Sequence, residues 1–137
     1  MARNNTLKII YLTAGSAMLI FFLWTGRYLR TTYPDKSQMD MGFRVMLRSR
    51  HIFLLLMSFV QLGIGVYIQP AFNRILRFAQ YGATLLLLLA DYLFVYSFFF
   101  EVDVKTIPQT PLLHQATYIS LAAVLLHVLV IFDTNEQ

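Results

Sequence analysis

Four uninterrupted apolar blocks, roughly 9–25, 52–68, 78–100 and 116–132, are separated by polar segments along this chain. Each block is close to the ~17–25 residues that a helix needs to cross the hydrocarbon core of a bilayer. None alternates apolar and polar residues over ~10 positions, as a membrane-barrel strand does. The pattern predicts an all-α, integral membrane four-helix bundle, with residues 1–137 forming a single transmembrane domain. No internal repeat or low-complexity tract interrupts it. Met1-Ala2-Arg3 before the first block resembles the start of a signal peptide. No small-residue cleavage site follows Trp24, where Arg27, Tyr28 and Arg30 come instead, so the block is read as the first spanning helix.

The longest polar stretch lies between the first two blocks, from Arg27 to His51, with Pro34-Asp35 marking a turn near its start. Ser37-Gln38-Met39-Asp40 has the form of an N-cap with an acidic residue three positions on. Met39, Phe43, Met46 and Leu47 then recur at helical spacing, which predicts an amphipathic interfacial helical segment. Its other face carries Arg44 and Arg48. It either lies on anionic headgroups or runs straight into the second helix. Gln69-Pro70 stops that helix, and the stretch 71–77 opens the third, because proline suits a helix start better than its interior.

Composition sharpens the class. Hydrophobic residues make up 58% of the 137 and charged residues only 13%, so little of the chain is left for a water-soluble face. The first and third loops hold Arg27, Arg30, Lys36, Arg44, Arg48, Arg50 and Lys105, against Arg3, Lys8, Arg74 and Arg77 on the other side. That bias places loops one and three in the cytoplasm and both termini outside. The net charge of +4 is spread over these loops without a recognition motif, which gives no support to nucleic-acid binding. Cysteine is absent, so disulfides, thiolate metal sites and cysteine nucleophiles are excluded.

Asp91, inside the third block, is the residue that most needs explaining. A charged group at the bilayer centre costs about 3 kcal/mol on insertion scales and normally faces the bundle interior, paired or protonated. Counting inward from the loop-one and loop-three face, Asp91 lies ten positions before Glu101 and Gln61 ten after His51. Ser16 lies eleven before Arg27 and His127 twelve after Gln115. All four therefore fall roughly 15–18 Å deep at ~1.5 Å per residue. If they point inward, Ser16, Gln61, Asp91 and His127 form a midplane polar cluster. It is read either as interhelical glue or as a proton-relay site.

Small residues mark candidate close contacts at Ala14-Gly15-Ser16-Ala17, at Gly63 with Gly65, and at Ala116, Ser120 and Ala123. Trp24, Tyr28, Tyr33, Tyr81 and Tyr118 fall at expected interfaces and read as belt anchors. Tyr67, Tyr92 and Tyr96 are expected to point inward.

Chemistry at the loop-one and loop-three face is less specific. His51, Glu101, Asp103 and His114 bring two imidazoles and two carboxylates to one depth, the donor types a divalent metal takes, but in no short ligand motif. Haem ligation needs a buried pair of histidines at one depth, and His51 and His114 lie at helix ends instead. No cofactor is favoured. Arg44, Arg48 and Arg50 form a candidate contact for lipid phosphate or another anion. Neither a Gly-x-Ser-x-Gly elbow, a phosphate loop nor His-Glu-x-x-His occurs, which counts against hydrolytic catalysis.

Arg48-Ser49-Arg50-His51 opening the second block resembles the MAPEG family, trimeric membrane enzymes that bind glutathione. That family's motif continues from Arg-x-His to Asn and Glu, whereas Ile52-Phe53-Leu54-Leu55 follows here. Arg48-Ser49-Arg50-His51-Ile52 with Gly63 and a Leu-rich third helix ending at Glu101 is closer to an uncharacterised group of small bacterial four-helix membrane proteins. That resemblance implies a bacterial inner membrane location and no particular activity. The expectation is a non-enzymatic protein acting by association in the bilayer, as a homo-oligomer or an accessory subunit among other membrane subunits. The alternatives are a proton-coupled channel or transporter centred on Asp91, and a cofactor-binding or glutathione-type membrane enzyme.

Overall fold

The computed structural model describes residues 5–35, 37, 39–71, 73–100 and 111–134, with side chains as far as residue 130. They form four helices: α1 (Thr6–Thr32), α2 (Met41–Tyr67), α3 (Arg74–Phe100) and α4 (Pro111–Thr134). No strand occurs among the described residues. All four helices are long and apolar enough to cross a bilayer, which makes the chain a multi-pass membrane protein. The first three have 27 residues each. At 1.5 Å per residue that is about 40 Å, some 10 Å more than the hydrocarbon core. Their ends therefore reach the headgroup layer.

Local chemistry sets these ends. α1 stops at Tyr33, whose N–H still reaches Leu29 O at 3.2 Å, because Pro34 disfavours helical backbone in the residue before it. Ser37 does not cap the following helix. Its N–H and hydroxyl turn back to Asp35 Oδ1, at 2.9 and 2.6 Å, and Asp40 is the N-cap instead, accepting from Phe43 N at 3.1 Å. From there α2 is continuous, so the amphipathic segment is the first part of this helix rather than a separate one. Met46 and Leu47 are buried and Arg48 is exposed, as that amphipathic pattern requires. The turn around Pro70 is held by two side chains of α3, Gln80 and Arg77. Gln80 donates to Gln69 O at 2.9 Å and accepts from Ala71 N at 3.0 Å, and Arg77 Nε donates to Ala71 O at 3.1 Å. Backbone groups that proline leaves without helical partners are thereby satisfied.

Packing divides the bundle into two hairpins, α1 with α2 and α3 with α4, joined mainly where α3 meets α2 and α1. In the first hairpin Gly15 faces Leu62, Gly65 faces Leu12 and Gly26 faces His51, an antiparallel register along the whole length. A Cβ on Gly15 would stand 2.9 Å from Leu62 N, so backbone itself occupies the space that a side chain would need. Ser58 donates to Gly15 O at 2.9 Å across the same contact. Gly63 has no atom within 4 Å of where its Cβ would lie and plays no part in close packing. In the second hairpin Ala116, Ser120, Ala123 and His127 make one buried face of α4. The core at the junction holds Leu54, Met57, Leu87 and Phe94, with Phe53 stacked on Phe94 at 5.4 Å.

Candidate functional site

Among the described residues two hydrogen-bonded polar groups are built on the buried face of α3. On that face Gln80, Thr84, Leu87 and Asp91 follow one another at spacings of four, three and four residues. Asp91 meets Gln61 of α2: the Gln61 amide Nε2–H donates to Asp91 Oδ2. Gln61 is fully buried and Asp91 is 8% exposed. Gln61 Oε1 and Asp91 Oδ1 have no hydrogen-bond partner among the described residues. Both are acceptors unless Asp91 carries a proton, so a proton on Oδ1 is the one addition that would let the carboxyl donate to the amide oxygen.

The second group lies two helical turns away along α3. Thr84 donates to Gln80 O at 2.7 Å, and the Tyr11 hydroxyl of α1 donates to Thr84 Oγ1 at 2.9 Å. With its single proton used, Tyr11 Oη accepts from His127 Nε2–H of α4. The two rings meet edge to face at 5.4 Å. A chain of hydrogen bonds thus runs from His127 through Tyr11 and Thr84 to Gln80, and through Gln80 to the turn between α2 and α3. Leu87, fully buried, lies between Thr84 and Asp91 along the α3 face.

Of the four residues expected at the midplane, only Gln61 and Asp91 are brought into contact. Ser16 is exposed on the outside of α1. It shares the depth of Gln61, since its neighbour Gly15 faces Leu62, but it points about 100° away from that contact. His127 lies nearer the α2–α3 turn than expected, because α4 begins at Pro111, about one helical turn before the depth count assumed. Tyr11, Thr84 and Gln80 were missed. The two on α3 share a helical face with Asp91, and that spacing is the signal that was available for them.

At the loop-one end a second candidate opens between α1 and α2. It is a cavity of about 470 Å³ whose lining includes Gly26, Arg30, Tyr33, Arg44, Arg48 and His51. Its floor is ordered: Phe22 stacks on the His51 ring at 4.2 Å, and Thr25 Oγ1 lies 2.9 Å from His51 Nδ1. The Thr25 hydroxyl proton goes to the carbonyls of Phe21 and Phe22, at 2.9 and 3.0 Å, so Nδ1–H donates to Thr25 and Nε2 is left at the cavity edge. Arg50 does not line the cavity. It is fully buried, on the opposite side of α2 from Arg48.

No family model, curated protein or solved structure matches this chain.

The chemistry of the site must therefore be taken from its own residues. Among the described residues no group of three metal-ligand side chains comes together. His51 is committed to Thr25 and Phe22, and His114 is exposed. Glu101 and Asp103 lie outside the described residues. The outer surface departs from expectation at three tyrosines: Tyr67, Tyr92 and Tyr96 all face out rather than in, 82%, 61% and 37% exposed. Tyr92 stacks on Tyr96 at 5.9 Å and Tyr96 on Phe100 at 4.4 Å, forming an aromatic stripe along α3.

Proposed function

We propose that this protein acts by association within the membrane, as a non-enzymatic homo-oligomer assembled through the Tyr92–Tyr96–Phe100 stripe of α3. The observation that carries this reading is the outward position of Tyr92, next to Asp91 and hence near the bilayer centre. A phenol facing hydrocarbon has nothing to bond with, and groups left unsatisfied there cost several kcal/mol. A second copy supplies the missing partner. In a parallel pair about an axis along the membrane normal, each residue meets its equivalent at the same depth. A phenol donates and accepts, so it is its own complement. We place loops one and three in the cytoplasm on the distribution of the basic residues, and the protein in a bacterial inner membrane on the resemblance of Arg48-Ser49-Arg50-His51-Ile52 and the Leu-rich third helix alone.

Tyr92→Phe/Tyr96→Phe keeps both rings and removes only the hydroxyls. At about 1 kcal/mol per interhelical hydrogen bond, self-association measured by sedimentation in mild detergent should weaken roughly five- to thirtyfold. A parent protein that sediments as a single chain rejects self-association. Stoichiometric co-purification of a foreign membrane protein would make the chain an accessory subunit.

A second reading is favoured by the two buried acceptors Gln61 Oε1 and Asp91 Oδ1, both without a partner among the described residues and carried by side chains that are already hydrogen-bonded to each other, a pair suited to hold a transferable proton. Asp91→Asn preserves an amide–amide pair with Gln61 but cannot carry that proton. A pH gradient across liposomes should then collapse faster with the parent than with the variant. Equal rates in both, or none, would remove this reading.

A further inference from the structure

The cavity at the loop-one end stands apart from both the α3 stripe and the buried polar groups. Three arginines contribute to its lining, from two helices: Arg30 in the last turn of α1, and Arg44 and Arg48 one turn apart on α2. Among the described residues no carboxylate lines it. Among the described residues Arg30 and Arg48 make no hydrogen bond or ion pair, whereas Arg44 donates to Met39 O at 3.5 Å. His51 Nε2, at the same edge, donates to an anion only when the ring is protonated. Gly26 keeps this edge open, since a Cβ there would come within 3.1 Å of His51 Cε1. The rest of the lining includes Leu29, Leu47 and Met39. The result is a cationic mouth over an apolar wall, of a size in the ~300–1,000 Å³ range of ligand sites.

Depth selects the kind of ligand. Trp24 and Tyr28, stacked at 6.0 Å and both exposed, lie within two turns of Arg30 on α1 and have the character of an interfacial belt. Arg30 and Tyr33 therefore sit at the level of the headgroups. Guanidinium forks match the oxygens of phosphate, and Arg30 and Arg48, which have no carboxylate partner among the described residues, bring positive charge to one space. Surface arginines that only anchor a helix need no shared cavity; these converge on one.

We propose that this cavity binds a phosphate group, held by Arg30, Arg44 and Arg48, with His51 at its floor. The phosphate is that of an anionic lipid or of a soluble phosphate compound, and the two sources differ in how they are captured.

The test uses the full chain in dodecyl maltoside. Dioleoylphosphatidylglycerol or dioleoylphosphatidylcholine is added and bound lipid is read by native mass spectrometry; inorganic phosphate is titrated separately against the melting temperature. The comparison is between Arg30→Gln/Arg48→Gln and Lys8→Gln/Arg74→Gln. Each pair removes two exposed positive charges, the second at the opposite end of the bundle. One phosphatidylglycerol per chain should bind at least tenfold tighter than phosphatidylcholine. It should be lost in Arg30→Gln/Arg48→Gln and retained in Lys8→Gln/Arg74→Gln. Stabilisation of the parent by inorganic phosphate, abolished in the same pair and without any lipid preference, would assign the site to a soluble phosphate. Equal binding of both lipids together with no phosphate effect, or equal loss in the two double variants, overturns the proposal. If Arg30→Gln/Arg48→Gln loses helicity, Arg48→Glu alone carries the same comparison, since it reverses one exposed charge at the mouth.

Discussion

Gln61→Leu should destabilise the bundle by about 2–3 kcal/mol, because it removes the only described donor to a carboxyl held inside the membrane. The substitution is close to neutral in volume, so loss of packing contributes little. What remains is a buried Asp91 with no compensation for leaving water. Asp91→Leu alone leaves the fully buried Gln61 amide without its acceptor, a smaller cost of about 1–2 kcal/mol. The double variant Gln61→Leu/Asp91→Leu removes both sides of the problem and should recover most of the parent's stability. Asp91→Asn should stay close to the parent, since an amide in that position donates to Gln61 Oε1 and still accepts from Nε2. Reversible unfolding by sodium dodecyl sulfate in mixed micelles gives all four values. A coupling below about 0.5 kcal/mol would mean that the two residues do not stabilise each other.

Gly15→Ala is the second large effect. The added methyl would stand 2.8 Å from Leu62 Cγ and 2.9 Å from Leu62 N, and the second of these atoms belongs to helical backbone that cannot rotate away. α1 and α2 must separate locally, at a cost of about 1–3 kcal/mol for overpacking, and the bond from Ser58 to Gly15 O is lost with the contact. Gly63→Ala is the matched control. It meets nothing, and at a helical position it should be neutral or stabilising by up to about 1 kcal/mol. Unfolding of the two variants in the same micelles checks both signs. Equal stabilities would show that the hairpin does not depend on close approach at Gly15. Gly65, whose Cβ would lie 3.1 Å from Leu12 N, belongs with Gly15.

The spanning helices were legible because a bilayer leaves so few choices. A backbone in hydrocarbon must satisfy its own hydrogen bonds, so four apolar runs of the right length had to be four helices. Their stops were legible for a similarly local reason: Pro34 and Pro70 break helical backbone wherever they stand. Asp91 announced a buried polar contact by its cost alone, and Gln61 was found by depth, a quantity that residue counting gives directly.

Rotation about each helix axis was not legible. In a soluble protein, water marks the outer face of a helix and the sequence records it. In a membrane, lipid and protein interior are almost equally apolar, so Leu, Phe and Ala can stand on either face without penalty. Ser16 and Tyr92 therefore looked as suited to the interior as Tyr11 and Thr84, yet the first two face out and the second two face in. The basic cavity has the same origin. Arg44, Arg48 and His51 share a stripe at positions that a helical count relates, but Arg30 joins them only because α1 and α2 pack in one particular register. The sequence by itself determined how many helices cross the membrane, that α1 and α2 stop before Pro34 and Pro70, and the shared depth of Gln61 and Asp91, because those follow from length, local sterics and desolvation. The depth of His127 was not among them. The tertiary structure alone decided which polar groups meet, because that depends on which helix faces the close-packed glycines bring together.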